Sequence, residues 1–409
     1  MAAMMADVLQ VFLLSPLSTF SVMVWIAALV LHALSPRLEA RGAKPRLVAR
    51  ESDFSRFLAA SVPAFSQAYA PPPWASHPTV QSVLAATVLR RASDVPFFRT
   101  HLQLRDRGLV ALDWAGSSPS HPADADEDEP QIIVLVLPDL GRDCSSVGDT
   151  CRAILSRGMR PVVLGQRGHG GVPLTTPRLQ SYGDPADLRQ AIRFLRTHYG
   201  RCRVSVLGFG SGADLLLAYL GDTGSSSGLL AAVAVSPLYE PEKLLHESPW
   251  PLELLRRRAL QRIVEDHSGI LARSADVDGA LQATSWKELE QKVLWPACGV
   301  VTSHQYWERN APLRDADDMA TPLLCISSSD DPVVPTWALP MDVFQSDPQL
   351  LLLLTEKGGH CGFIGGFGGT SSTSSCLPRS WADGVALDFI SATLDFTNRD
   401  RHLRKCATR

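Results

Sequence analysis

The sequence predicts an α/β fold: a mostly parallel central sheet with helices on both faces, a helical lid insertion, and an N-terminal membrane segment. Three observations predict it. From Gln131 onward, fully apolar runs alternate with amphipathic helical stretches, as in a sheet covered on both faces. Val204 to Tyr219 reads VSVLGFGSGADLLLAY: a β-branched run, a cluster of small residues, then an apolar stripe at Leu215, Leu216, Leu217 and Leu220. That is a strand, a very tight turn and a buried helix. Finally, Leu17 to Leu34 is dense in apolar residues, and Val8 to Pro36 holds no Asp, Glu, Lys or Arg.

That first segment is near the length a bilayer core requires, roughly 20 residues at helical rise. Arg37, Arg41, Lys44, Arg46 and Arg50 follow it against Glu39, and only Asp7 precedes it with charge. The positive-inside bias places the body in the cytoplasm. A cleaved signal peptide, which would leave the body secreted, competes with this reading; the missing basic n-region and the long apolar stretch weaken it. A buried core helix is the third reading.

The rest of the chain justifies the fold in order. Residues 1–50 form the anchor and its basic flank, 51–130 an N-terminal extension, and 131–400 the core. Phe54 to Leu89 carries short helical patches around a Pro-rich stretch, Pro71 to Pro73. Phe97 to Leu104 and Leu109 to Trp114 read as an antiparallel hairpin. The acidic run Asp124 to Glu129 reads as a solvated loop. Strands follow at Ile132 to Leu137, Pro161 to Leu164, Val204 to Leu207 and Ala231 to Val235, with helices at Ser145 to Ser156 and Asp184 to His198. Leu238 to Pro312 interrupts the alternation with helical pattern and carries Trp250, Trp286, Trp295, Tyr306 and Trp307; it is placed as a lid over the strand C-termini. Strands resume at Pro322 to Ser327 and Leu350 to Leu354, and Arg379 to Leu394 closes the chain. Gly365 to Ser375, rich in Gly and Ser, reads as a flexible loop after the second of these strands.

Composition excludes several functions. The chain has 409 residues, 45% hydrophobic and 20% charged, with a net charge of −3. That balance supports no nucleic-acid partner. Eight cysteines without CxxC spacing or a Cys/His cluster give no zinc site and no disulfide framework. Cys325 and Cys361 read as reduced, buried thiols. Asn310 and Asn398 start no glycosylation sequon.

Two constellations at strand ends carry chemistry. One strand runs into Asp330-Asp331-Pro332, the next into Gly358-Gly359-His360-Cys361-Gly362-Phe363. In a parallel sheet both lie on the edge that holds Gly210. Taken singly, an Asp before Pro is often a turn former and a His among glycines an ordinary loop residue. Nucleophile, acid and His in that chain order is the order of the α/β-hydrolases. The acid orients the imidazole, which serves as base to the nucleophile. Asp331, directly before the Pro-Val turn, is the expected acid, with Asp330 structural.

These residues carry a resemblance. With Pro72 to Trp74, Val110 to Trp114, Arg167-Gly168-His169-Gly170-Gly171, Thr176-Pro177-Arg178 and Tyr219-Leu220-Gly221, they make the chain resemble the membrane-anchored fourth family of α/β-hydrolase-domain proteins, from about Tyr69 to Leu394. The resemblance implies a single-pass anchor before a lipid- or ester-hydrolase fold, with Asp331 and His360 in the acid and base positions. Two departures stand out. Where that family ends its oxyanion strand in His-Gly, this chain has Pro138 and Asp139. Pro offers no N–H and Asp would repel a developing oxyanion; the oxyanion region is expected at Leu140 and Ser211.

The second departure is the nucleophile. Small residues are needed two positions either side of it. With Gly210 at the apex the flanks are Gly208 and Gly212, which fits. With Ser211 at the apex they are Phe209 and Ala213, and Phe209 would collide with the helix. The apex is therefore Gly210, which has no side chain to acylate. Ser211, one residue on, reads mainly as a helix cap and alternatively as an unorthodox nucleophile. A remote alternative is a dinucleotide turn, since Gly208 to Ala213 also fits G-x-G-x-x-A; the strand that should supply a ribose-binding acid ends instead at Ser236-Pro237. The sequence thus points to a membrane-anchored hydrolase-fold protein of lipid metabolism without turnover, holding an acyl ligand or a protein partner and needing no cofactor. The competing expectation is an active esterase or acylglycerol lipase using Ser211, Asp331 and His360.

Overall fold

A computed structural model describes residues 42–87, 94–117, 132–200, 202–365 and 380–407, with side chains as far as 399. The apolar Val8 to Pro36 segment, the acidic run, and all but Gly365 of the Gly/Ser stretch lie outside them. Among the described residues no helix is long and apolar enough to cross a membrane.

Among the described residues nine strands form one sheet: β1 (Arg46–Val48), β2 (Phe97–Gln103), β3 (Leu109–Ala115), β4 (Ile132–Leu137), β5 (Arg160–Gly165), β6 (Arg203–Phe209), β7 (Ala232–Val235), β8 (Leu323–Ser328) and β9 (Leu350–Thr355). Their spatial order is β1-β9-β8-β7-β6-β4-β5-β3-β2. Strands β4 to β9 run parallel. The hairpin β2–β3 joins one edge antiparallel, as its turn between two alternating runs dictates. Strand β1 joins the other edge antiparallel to β9, so the basic flank after the apolar segment enters the sheet.

Alternation in the parallel strands sends side chains into two cores. Ile133, Leu135 and Leu137 of β4 face one, with the helices Ala186–His198 and Ser211–Thr223 and the helical segment between β7 and β8. Ile132, Val134 and Val136 face the other, with the helices Asp53–Ser61 and Gly148–Ser156 and the closing helix Trp381–Ala407. A sheet apolar on both faces must be covered on both, and here it is. The closing helix runs past Leu394 to Ala407. The helix expected from Ser145 begins as the 3-10 turn Cys144–Val147, where Asp143 accepts from Ser146 N–H at 3.1 Å, and becomes α-helical at Gly148.

The segment between β7 and β8 is helical, its longest element being Trp250–Asp266. Trp286, Trp295, Tyr306 and Trp307 are buried in the core of the first face, whereas Trp250 is 68% exposed. After β4 the chain crosses to β5 on one side and β6 on the other. That reversal opens the crevice at the strand C-termini where ligands of such sheets bind.

Candidate active site

The turn between β6 and the helix Ser211–Thr223 has the geometry its sequence demands. Gly210 sits at φ 51° and ψ −119°, a conformation that only glycine adopts without strain. A Cβ at Gly208 would lie 2.6 Å from Gly212 O and 2.7 Å from Ala213 Cα. One at Gly212 would lie 2.4 Å from Leu137 O. Strand, helix and the end of β4 therefore touch at backbone distance. The apex is residue 210.

Asp331 and His360 come together. His360 Nδ1 lies 3.0 Å from Asp331 Oδ2. Asp331 Oδ1 accepts from the N–H groups of Val333 at 2.7 Å and Val334 at 3.0 Å, which fixes the carboxylate against the turn after β8. Asp330 has a structural contact instead, accepting from Gly359 N–H at 3.0 Å. The histidine loop is held from the N-terminal extension. His360 N–H donates to Ser82 Oγ at 2.7 Å, and Gln81 Oε1 accepts from Ile364 N–H at 2.9 Å. Ser82 and Gln81 sit on the helix Pro78–Thr87, and nothing in their spacing marks them as supports. Cys361 and Ser236 both carry positive φ, at 57° and 50°, and are joined by Cys361 N–H to Ser236 Oγ at 2.9 Å, so strained backbone braces the histidine.

Asp139 fills the centre of the site. A Cβ at Gly210 would lie 2.6 Å from Asp139 Oδ1 and 2.8 Å from its Cγ. The carboxylate thus stands where a nucleophile's side chain would project. The same oxygen accepts from Leu140 N–H at 2.8 Å and Ser211 N–H at 3.0 Å. In this fold those two amides, one after the nucleophile and one in the loop after the preceding strand, form the oxyanion hole. Asp139 is a built-in oxyanion. Asp139 does more than repel an oxyanion here: its carboxylate occupies the two amides itself.

Ser211 differs from its expected role as the helix cap. Gly210 is the N-cap and makes no side-chain bond, while Ser211 is the first helical residue. The Ser211 hydroxyl donates to Asp139 Oδ1 at 2.9 Å. It is thereby committed to the carboxylate rather than to His360. The same occupancy bears on the dinucleotide reading: the amides that would face a pyrophosphate already bind a carboxylate.

Electrostatics follow from this packing. For Asp139, burial pushes the carboxyl up, but the His360 charge and the Ser211 amide, with Arg142 and the Leu140 amide, hold it below the usual carboxylate range. For His360, burial alone would lower the value; the Asp331 charge and hydrogen bond, and then the Asp139 charge, raise it above the ordinary 6.5, against Arg256 of the helix Trp250–Asp266. A raised histidine adds stability that is full below its unfolded value and is lost as pH rises through the folded one. Asp139→Asn is expected to move the His360 titration down, seen in the pH dependence of its ring C–H resonances; an unmoved titration would contradict the contact.

Asp214, unmarked by sequence, ties the site to its surroundings. It is fully buried, and accepts from Tyr182 Oη at 2.7 Å and Leu238 N–H at 2.8 Å. Burial pushes its carboxyl up to about 7, against the Tyr182 hydrogen bond. The Arg167–His169 stretch is structural. Arg167 is 2% exposed and pairs with Asp187, Nη2 to Oδ1 at 2.7 Å, and with Asp106 at 2.6 Å. His169 receives its fixed orientation from Arg167 O at 2.7 Å, and burial lowers it to about 4, which keeps it neutral. Among the described residues no group of three or more His, Cys, Asp or Glu is placed to hold a metal.

The chain is 35% identical to human protein ABHD15 over 356 residues, covering 82% of this chain and 70% of that one. It belongs to the α/β-hydrolase domain-containing family. Other members it resembles include Bos taurus phospholipase ABHD3, 29% identical over 360 residues (86% of this chain, 85% of that one), and Danio rerio monoacylglycerol lipase ABHD2, 24% identical over 378 residues (87% and 84%). No protein-family model matches the chain. Among solved structures, Pyrococcus furiosus esterase Pf2001 aligns with a TM-score of 0.41 at 14% identity, covering 65% of this chain and 85% of that one. The chain carries the Asp331–His360 pair together with a glycine turn at 210 and the Asp139 carboxylate on the amides of Leu140 and Ser211.

Proposed function

We propose that this chain is a non-catalytic hydrolase-fold protein of lipid metabolism, which binds an acyl-bearing lipid without hydrolysing it, in a regulatory role or for a protein partner. The observation that carries this is Asp139 Oδ1 on the amides of Leu140 and Ser211, beneath a glycine apex. A covalent mechanism needs a nucleophile at the apex and free donors for the developing oxyanion. Here the first has no side chain and the second are taken. The lipid assignment is supported by relatives named as a phospholipase and a monoacylglycerol lipase. The Val8 to Pro36 segment is proposed as a single-pass anchor with the body on the cytoplasmic side.

The alternative, an esterase using Ser211 with Asp331 and His360, is favoured by the intact Asp331–His360 pair. Titration of the purified chain with a monoacylglycerol separates the two. The proposal expects a rise in melting temperature with no fatty acid released. Release that disappears in Ser211→Ala would establish the alternative, and absence of any binding would remove the lipid assignment.

A further inference from the structure

The edge of the sheet opposite the site carries a second concavity. It lies at the N-terminal ends of β6, β7 and β8, is about 750 Å³ in volume, and is lined in part by Arg189, Arg193, Arg196 and Arg203. Among the described residues, no Asp or Glu lines it. That volume falls within the range of small-molecule sites, roughly 300–1,000 Å³.

The arginines converge by construction. Arg189, Arg193 and Arg196 stand at i, i+4 and i+7 of the helix Ala186–His198, on one face. All three act on the Tyr219 hydroxyl in the cavity wall: burial pushes it up, and Arg196, Arg189 and Arg193 draw it down. Arg203 arrives from a different element, β6, and its Nη2 donates to Asn398 Oδ1 at 2.9 Å. Gly228, at φ 68°, lets the Arg196 guanidinium lie against the loop before β7; a Cβ there would fall 2.0 Å from Arg196 Nη1. Asp222 neutralises Arg189. Among the described residues no carboxylate pairs with Arg193 or Arg196.

Complementing the negative end of a helix accounts for Arg196 in the last turn. It does not account for Arg193, in the middle of the helix. Arg193 and Arg196, three residues apart on one face, repel, and a shared anion between them removes that repulsion. Planar guanidinium forks match the oxygens of a phosphate group. We infer that this cavity binds a phosphate-bearing anion, as a free phosphate ester or as the headgroup of a phosphorylated lipid.

The test uses the full chain with two probes, soluble inositol trisphosphate by calorimetry and phosphatidylcholine vesicles with or without a phosphorylated phosphatidylinositol by sedimentation. Binding of the soluble probe marks a free ester; binding to the phosphorylated vesicles alone marks a headgroup site. In either case Arg193→Gln, an exposed position, raises Kd about tenfold, and Arg193→Gln with Arg196→Gln abolishes binding. Arg193→Lys with Arg196→Lys retains part of it, which separates lost charge from lost folding. No binding to either probe, or binding unchanged in the double Gln variant, would overturn the inference.

Discussion

Gly210→Ser combined with Asp139→Gly is expected to create an ester hydrolase that neither change creates alone. In Gly210→Ser the new Cβ meets Asp139 Oδ1 at 2.6 Å, and the oxyanion amides stay occupied. In Asp139→Gly the amides are freed, but the apex has no hydroxyl. Together the changes supply a hydroxyl at the apex, two free donors and the Asp331–His360 pair already in place at 3.0 Å. Losing one oxyanion donor typically lowers rate by about 10²–10³, so the double variant should exceed the Gly210→Ser single variant by at least about 10² in turnover of a short-chain nitrophenyl ester. Equal rates in the two would show that Asp139 does not block the site. The positive φ at residue 210 strains any side chain there by about 1–3 kcal/mol, and a lowered melting temperature of both serine variants is expected.

Gly208→Ala is expected to be strongly destabilising. The added carbon meets Gly212 O, Ala213 Cα and Ala213 N at 2.6 to 2.8 Å, all of them backbone. The helix must lift from the strand, and overpacking of this kind costs about 3 kcal/mol. Gly384→Ala in the closing helix is the control. Its Cβ meets nothing within 4 Å, and alanine there should add about 0.8 kcal/mol through helix propensity. Urea unfolding midpoints of the two variants should move in opposite directions. A Gly208→Ala midpoint equal to wild type would refute the backbone contact.

The elbow was legible because its constraint is steric and local. Backbone contact forbids side chains at 208 and 212, and that pattern alone fixes 210 as the apex. The acid and the histidine were legible because a parallel sheet brings the ends of consecutive strands to one edge. What stayed hidden depends on the direction of a side chain or on partners far apart in sequence. Asp139 reads in sequence as a poor neighbour for an oxyanion. Only its rotamer makes it the occupant of the hole, and the same rotamer turns Ser211 from a helix cap into a donor to Asp139. Ser82, which holds the backbone of His360, lies 278 residues away from it. Strand β1 has three residues, too few to show a period, and it inherits its conformation from the free edge of β9.

The most direct measurement is intact-mass analysis of the purified chain after exposure to a fluorophosphonate, which phosphonylates only an activated serine. With Gly210 at the apex and Asp139 on the amides of Leu140 and Ser211, the mass should remain unchanged. A single stoichiometric adduct that disappears in Ser211→Ala would contradict the account.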